Sequence, residues 1–242
     1  YLLEKKLKKG FLIFDLNLEF DNSGKLKENF KLTGFIRDTN IRISENLIFN
    51  KINMIFDLNS KSSQFKDIKF NFNDIPITSQ KILIKKLNDN LFVEGHLENR
   101  KFSIDKKFLD RFLKKFNLIN IDLSSKNEFS FIIHNKFQIK DLKISSKLKI
   151  QNLKLKNAFD LKGFLPNINN EINFSDHSID LNYAEKNFSI KGSGNIFLQN
   201  KKDFIKYNIF KNENNLKFET NLNVEQNPIS IGFLGYEKKK DT

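Results

Sequence analysis

The strongest constraint on the fold is an alternation of apolar and polar side chains with a period of two residues. In the run 12–20, Leu and Phe occupy every second position, and Asp15, Asn17 and Glu19 fall between them. Successive side chains of a β-strand point to opposite faces, so this pattern is typical of a strand with one apolar face. The same alternation returns at 52–58, 129–133, 148–155, 179–183, 188–190, 216–224 and 229–233.

Short polar clusters separate these runs, as at 21–24, 88–90 and 212–215. Asn, Asp, Ser and Gly favour tight turns, and strands joined by such turns are typical of antiparallel meanders. Glycine inside a strand marks a bulge or bend, and regularly placed glycines suit a strongly curved sheet. We therefore predict a mainly β fold, a long, twisted and curved antiparallel sheet, with interior glycines at Gly34, Gly95, Gly163, Gly192, Gly194 and Gly232.

One segment, 105–118, departs from this period. Its apolar residues follow helical spacing, with Asp105 as a candidate N-cap and two lysines suited to the negative end of the helix dipole. We predict one amphipathic helix there, packed over a sheet edge or end. A membrane-surface helix is disfavoured because the apolar stripe is narrow, consisting of Phe108, Leu109, Phe112, Leu113 and Phe116.

The domain organisation follows from this helix. We predict a first β-meander segment at 1–104, the helix at 105–118, and a second meander segment at 119–242 that continues the same sheet. No linker rich in Pro, Gly or Ser lies between them. The motif at 30–36 also matches the motif at 159–165, which raises the hypothesis of a loose repeat of a multi-strand unit.

The net charge of +13 rests almost entirely on lysine, because only four of the 42 basic residues are arginines. Nucleic-acid-binding proteins favour Arg for its bidentate fork, and the lysines here are spread evenly along the chain. The charge therefore argues against nucleic-acid binding. It is explained by a biased genome composition or by a basic surface that faces anionic lipid headgroups.

Aromatic usage is also uneven, with 27 Phe, 4 Tyr and no Trp. Sugar-binding platforms and protein-binding hot spots favour Trp and Tyr, so Phe alone indicates an apolar lining. No apolar run approaches the roughly 20 residues of a membrane-spanning helix, and the chain begins at Tyr1 without a signal peptide. We expect an interior or C-terminal segment of a longer protein, with any membrane anchor upstream.

No pattern of catalytic or metal-ligating residues emerges. The chain has no Cys, and its three histidines, His96, His134 and His177, are isolated, which favours solvated or turn positions for each. Ser193 lies between two glycines, but strand-like runs flank it where a nucleophile elbow needs a strand and a helix. We therefore predict no enzyme activity, no cofactor and no metal.

The C-terminal half resembles the repetitive-β portion of AsmA-like envelope proteins, in particular the large YhdP-type members. The resemblance rests on the strand with the Gly-x-Gly motif at 190–196, the strand 203–209, a charged loop, and the strand 216–224. It is recognisable in detail over about 150–236 and in style over the whole chain. The family is not defined by catalytic residues.

This resemblance implies an apolar β-groove that carries phospholipid acyl chains between the two membranes of the envelope. It also implies a periplasmic location and an inner-membrane anchor upstream of this chain. The implied partners are phospholipid and envelope proteins, with no nucleic acid. The expected groove lining consists of Phe30, Leu32, Ile36, Phe129, Phe131, Ile133, Phe159, Leu161, Leu165, Ile179, Leu181, Phe188, Ile190, Ile196, Leu198, Phe218, Leu222, Val224, Ile229, Ile231 and Phe233.

The main alternative is a non-enzymatic structural β-protein of the cell envelope, whose apolar face is an ordinary closed core. Alternation alone does not separate a groove from a closed core, because both need one apolar face. A segment of an outer-membrane barrel ranks lower, because the girdles of Trp and Tyr typical of such proteins are missing.

Overall fold

The computed structural model describes residues 7–27, 29–44, 47–104, 106, 109, 117–134, 138–158 and 160–239. About 75% of the chain is in strands, which form an open antiparallel sheet of 12 strands that does not close on itself. The prediction of a mainly β, antiparallel fold is confirmed. A second, two-stranded sheet lies near the C-terminal end of the described residues.

The strands of the large sheet are long, many of them 11 to 19 residues. Their bounds are β1 (Leu7–Asn17), β2 (Lys31–Ser44), β3 (Leu47–Asn59), β4 (Ser62–Phe72), β5 (Ile75–Leu87), β6 (Asn90–Ile104), β7 (Leu118–His134), β8 (Gln138–Lys156), β9 (Glu171–Ala184), β10 (Asn187–Phe197), β11 (Asp203–Lys211) and β12 (Leu216–Asn223). The small sheet consists of β13 (Ile229–Ile231) and β14 (Tyr236–Lys238), joined by a 3-10 turn at Gly232–Leu234.

The strands are hydrogen-bonded in the order in which they occur in the sequence, from β1 to β12. Tight turns join several of them, and the polar clusters at 21–24, 88–90 and 212–215 lie at connections as predicted. At the first of these, one carboxylate oxygen of Asp21 accepts hydrogen bonds from the backbone N–H groups of Ser23 and Lys25, both at 2.9 Å. Such a local bond replaces the backbone pairing that the strand has just lost.

The helix predicted at 105–118 lies mostly outside the described residues. Within that segment the structure describes Lys106 and Leu109, both helical, and Asn117, which lies in a turn. Leu118, the last residue of the predicted helix, is instead the first residue of β7.

The chain forms two compact units. Unit 1 consists of Tyr1–Arg100 with Lys126–Ser145, and unit 2 consists of Lys101–Ser125 with Ser146–Thr242. Long strands such as β8 therefore contribute to both units, and the units do not coincide with the two halves of the sequence.

The repeat hypothesis is not supported by the local conformations. The first copy of the motif leads into β2, whereas the described residues of the second copy, 160–165, lie in a turn between β8 and β9. Leu165 N–H donates to the carbonyl of Leu161 at 2.8 Å, which is the bonding of a helical turn. Gly163 and Gly232 also lie outside strands, so the prediction that they are strand glycines is wrong.

Several strands contain a non-glycine residue in the left-handed backbone region. Asp38, Lys51, Asp67, Asp141 and Asp176 all have φ between 49° and 54° inside a strand. The pairing register shifts beside Asp38 and Lys51, which identifies these positions as β-bulges. A bulge inserts one residue and reverses which face the following side chains occupy.

Candidate functional site

The strand registers align a row of large apolar side chains on one face of the sheet in unit 1. Residues directly opposite each other on neighbouring strands share a face. The pairs from β1 to β6 join into a continuous row, in which large apolar residues are interrupted by glycine. That row is Phe14, Gly34, Phe56, Phe65, Ile82 and Gly95. We call this side of the sheet the apolar face.

Five predicted lining residues of unit 1 can be placed against this face. Leu32 pairs with Leu16 and Leu58, and Ile36 pairs with Leu12 and Met54, so both belong to it. Phe129 lies over the row, because a Cβ atom added at Gly95 would be 3.0 Å from its ring. Phe131 stacks on Phe129 with ring centroids 5.9 Å apart, and Ile133 follows two residues further along β7.

Unit 2 has an apolar face of the same kind. Leu181, Ile190, Ile209 and Phe218 pair with one another in sequence across β9 to β12. We call these four residues the open row. Three of them are half-buried, and Phe218 is 60% exposed. The predicted residues Phe188 and Ile179 flank the open row on the same face.

Next to the open row, part of the same face is covered. Leu165, Ile172, Ile196 and Leu198 form a fully buried cluster, which we call the covered cluster. The connection between β8 and β9 closes over it, since Leu165 comes from that connection. Partly buried side chains complete the packing, among them Leu155, Leu161, Ile168, Phe174, Ile205, Leu222 and Ile229.

A buried polar network fixes the cover in place. Gln199 accepts a hydrogen bond from Asn167 N–H at 3.1 Å and donates to the carbonyl of Pro228 at 2.9 Å. Asn227 donates to the carboxylate of Asp203 and to the carbonyl of Lys201, both at 2.8 Å. Burial raises the pKa of Asp203, against the opposing effect of the Asn227 hydrogen bond. No local sequence pattern predicts this network, because it joins residues about 30 positions apart.

His177 is buried, so the prediction of a solvated or turn position for it is wrong. The residue is 2% exposed, and its ring lies against Tyr207 with ring centroids 6.0 Å apart and donates through Nε2 to the carbonyl of Asn195 at 2.9 Å. Burial lowers the pKa of His177, against smaller opposing effects from Asn195 and Asp176. Gly194 leaves the space that the ring occupies. A neutral, hydrogen-bonded imidazole of this kind is part of the packing.

The opposite face of the sheet, which we call the polar face, carries open clefts, although Phe35 and Ile55 also lie on it. In unit 1, a cleft of about 530 Å³ is lined by side chains of both charges, including Lys81, Glu94 and Lys143. In unit 2, a cleft of about 580 Å³ is lined in the same way, including Asp180 and Lys206. Because the lining charges are mixed, neither cleft favours an anionic or a cationic ligand.

Eight described residues of the predicted lining lie outside the strands of the large sheet. Leu161 and Leu165 lie between β8 and β9, Leu198 follows β10, and Ile229 begins β13. Phe30 precedes β2, Val224 follows β12, and Ile231 belongs to β13 in the small sheet. Phe233 lies in the 3-10 turn and is 81% exposed. Phe159 lies outside the described residues. The alternating runs 216–224 and 229–233 are not adjacent strands of one sheet, because β12 pairs with β11 and β13 pairs with β14.

No metal-binding cluster is formed by the part of the chain that the structure describes: nowhere in it do three or more His, Cys, Asp or Glu side chains come together to hold an ion. Across the described ranges, no helix is both long and apolar enough to cross a bilayer.

Comparison with known proteins gave no relative. No protein-family model, no curated protein and no solved structure matches the chain. The class of the protein is therefore given by its fold alone, an open antiparallel sheet.

Proposed function

We propose that the chain is a segment of an envelope lipid-transfer protein whose apolar face carries phospholipid acyl chains. The observation that supports this proposal is the open row, in which four large apolar side chains share one face while Phe218 is 60% exposed. Acyl chains need apolar contact and no hydrogen-bonding partners, and such a row offers that contact without burying a polar group.

The amount of exposed apolar surface supports the same proposal. Among the described residues, large apolar side chains that are exposed outnumber those that are buried. Exposed apolar surface of this extent marks interaction sites in soluble proteins. We further propose that, as in an AsmA-like protein, this surface lies in the periplasm and the inner-membrane anchor lies outside this chain.

A structural protein with a closed core is the second candidate, and the covered cluster favours it. Leu165, Ile172, Ile196 and Leu198 are buried in the manner of an ordinary core. At that part of the face a lipid chain would have to displace the connection between β8 and β9. We therefore place the proposed lipid contact at the open row and not at the covered cluster.

The test compares two phenylalanines on neighbouring strands that point to opposite faces. Phe218 on β12 belongs to the open row, and Phe210 on β11 lies on the polar face and is 44% exposed. We expect the purified wild-type chain to contain extractable phospholipid, seen by native mass spectrometry. Phe218→Asp should lower the lipid-to-protein ratio several-fold, because a carboxylate is poorly solvated by acyl chains.

Phe210→Asp is the matched control and should leave the lipid content unchanged. Far-UV circular dichroism should show the same β content for both variants, because neither side chain is buried. A wild-type chain without phospholipid, or equal lipid content in the two variants, would contradict lipid carriage and leave the structural protein as the explanation.

A further inference from the structure

The first strand of the large sheet, β1, forms an edge that is apolar on both faces. In the part of the chain that the structure describes, β1 pairs with β2 alone, so the N–H and C=O groups along its other side have no strand partner there. Residues 11–14 of β1 are four consecutive large apolar residues, each 50–65% exposed. Edge strands normally carry charged residues, proline or a bulge that prevents pairing with another chain, so this edge requires an explanation.

Lipid carriage on the apolar face does not account for this edge, because the apolar surface of β1 continues on the polar face. Side chains alternate along a strand, so the odd-numbered residues of 11–14 lie on the polar face. There, Ile13 pairs with Phe35 and Phe35 pairs with Ile55, and both isoleucines are exposed. Strands that are apolar on both faces are typical of the interior of a sheet, where neighbours lie on both sides.

The other edge of the large sheet, β12, has a different composition. On the polar face it carries Lys217, Glu219, Asn221 and Asn223, and Lys217 and Glu219 form an ion pair. Charged residues of this kind disfavour the pairing of an edge with another chain. Pairing of β12 with β1 of another copy would also place these charges opposite apolar residues. Of the two edges, β1 is therefore the one suited to the addition of a strand.

The sequence of β1 is complementary to itself in the antiparallel direction. Its pairing with β2 is regular along 11–17, whereas the register shifts at Gly10. In two copies related by a two-fold axis at the centre of 11–17, Phe14 lies opposite Phe14, and Leu12 lies opposite Leu16 of the other copy. This register keeps large apolar side chains together and aligns the apolar faces of the two sheets.

We propose that β1 pairs antiparallel with β1 of a second copy of the chain, which joins two sheets edge to edge in a two-fold dimer. The interface is the same surface on both copies, so pairing occupies both β1 edges and association ends at the dimer. The occupant is a second copy because β1 complements itself, while the charges of β12 disfavour a head-to-tail array. This inference goes beyond the proposed lipid carriage, because β1 belongs to unit 1 and the open row belongs to unit 2.

Charge substitution at the proposed two-fold axis tests this pairing. Phe14→Lys alone, or Phe14→Glu alone, places like charges directly opposite each other, and we expect dimerisation to weaken about tenfold or more in sedimentation velocity. An equimolar mixture of the two variants should restore association as a heterodimer, because the opposed charges then attract. Phe218→Lys on β12 is the matched control, since Phe218 is also an exposed edge residue, and it should dimerise like the wild type.

A single cysteine at the same position provides the second measurement, because the chain has no Cys of its own. Directly opposite Cα atoms of an antiparallel pair lie about 4.5–5.5 Å apart, within the range that a disulfide spans. Phe14→Cys should therefore give a covalent dimer on mild oxidation, and Phe218→Cys should not. Leu12→Cys alone should react slowly, whereas its mixture with Leu16→Cys should react as readily as Phe14→Cys.

Several results would overturn the proposal. These are a wild-type chain that stays monomeric over a wide range of concentration, equal weakening by Phe14→Lys and Phe218→Lys, or a mixture of the two Phe14 variants that stays monomeric. Growth of the wild-type chain beyond the dimer would contradict a closed two-fold interface. The dimer and lipid carriage fail separately, because a monomer with extractable phospholipid contradicts only the dimer, and a dimer without phospholipid contradicts only lipid carriage.

Discussion

At the scale of single residues, two glycines of β10 make room for rings on the neighbouring strands. A Cβ atom added at Gly194 would lie 2.6 Å from Cγ of His177, and one added at Gly192 would lie 2.5 Å from Cε2 of Tyr207. These distances are shorter than any normal carbon contact. The Gly-x-Gly motif is therefore explained by packing on the apolar face, and Ser193 between the glycines faces the polar side.

We predict that Gly194→Ala destabilises the chain by about 1–3 kcal/mol, the usual cost of overpacking. The added methyl group meets the His177 ring and backbone, which are buried and cannot move aside. Gly163→Ala is the matched control, because nothing lies within 4 Å of its added Cβ, and we expect it to be neutral or slightly stabilising. Guanidinium unfolding of both variants checks this, and equal stability would show that the glycine is not needed for packing.

At the scale of the strand, the alternation predicted where strands lie but not where they change face. In β9, Ile172 and Phe174 occupy even positions, and Ile179 and Leu181 occupy odd positions on the same face. The bulge at Asp176 makes this change, with φ of 54°. The sequence signals this bulge weakly. The apolar positions change from even to odd on the two sides of Asp176, and Asp is one of the few residues that tolerate the left-handed conformation.

Other features of the candidate site could not be predicted from spacing. The contact of His177 with Gly194 depends on the register between β9 and β10, and an isolated histidine has no local pattern that reports burial. The covered cluster depends on the turn at 160–165, whose apolar residues read as another strand. The alternation therefore predicted which side chains share the apolar face, whereas tertiary packing determines which parts of that face are covered.

The bulges lead to a prediction of their own. Asp67 in β4 is exposed and has φ of 49°, a conformation that a β-branched residue adopts at a cost. We expect Asp67→Val to lower the free energy of unfolding by about 1–2 kcal/mol and Asp67→Asn to be neutral. Asp180→Val is the control, since Asp180 is an exposed strand residue outside the left-handed region. If the two valine variants lower the free energy of unfolding equally, backbone strain at Asp67 is not the cause of the loss.

At the scale of the whole molecule, large apolar side chains that are exposed outnumber those that are buried among the described residues. Folding therefore leaves much of the apolar surface of the strands in contact with water. Stability has to come from the long hydrogen-bonded ladders and from the limited buried clusters.

This surface predicts a weak dependence of stability on denaturant. Because the slope of the unfolding free energy against guanidinium concentration scales with the area exposed on unfolding, we expect a slope below that of a globular protein of this length. Equilibrium unfolding followed by circular dichroism measures it. A slope at or above the globular value would mean that the chain in solution buries more surface, as it would on self-association.

The order of the strands has a consequence for how such a sheet can change length. Each strand from β2 to β11 pairs with its predecessor and its successor in the chain, and β1 and β12 form the two edges. Deleting or duplicating one hairpin therefore removes or adds two adjacent strands and leaves the direction and pairing of the remaining strands intact. With neighbouring strands about 4.8 Å apart, each such event alters the width of the sheet by about 10 Å. Duplication or deletion of the gene segment that encodes one hairpin would therefore change the width of such a sheet in steps of two strands.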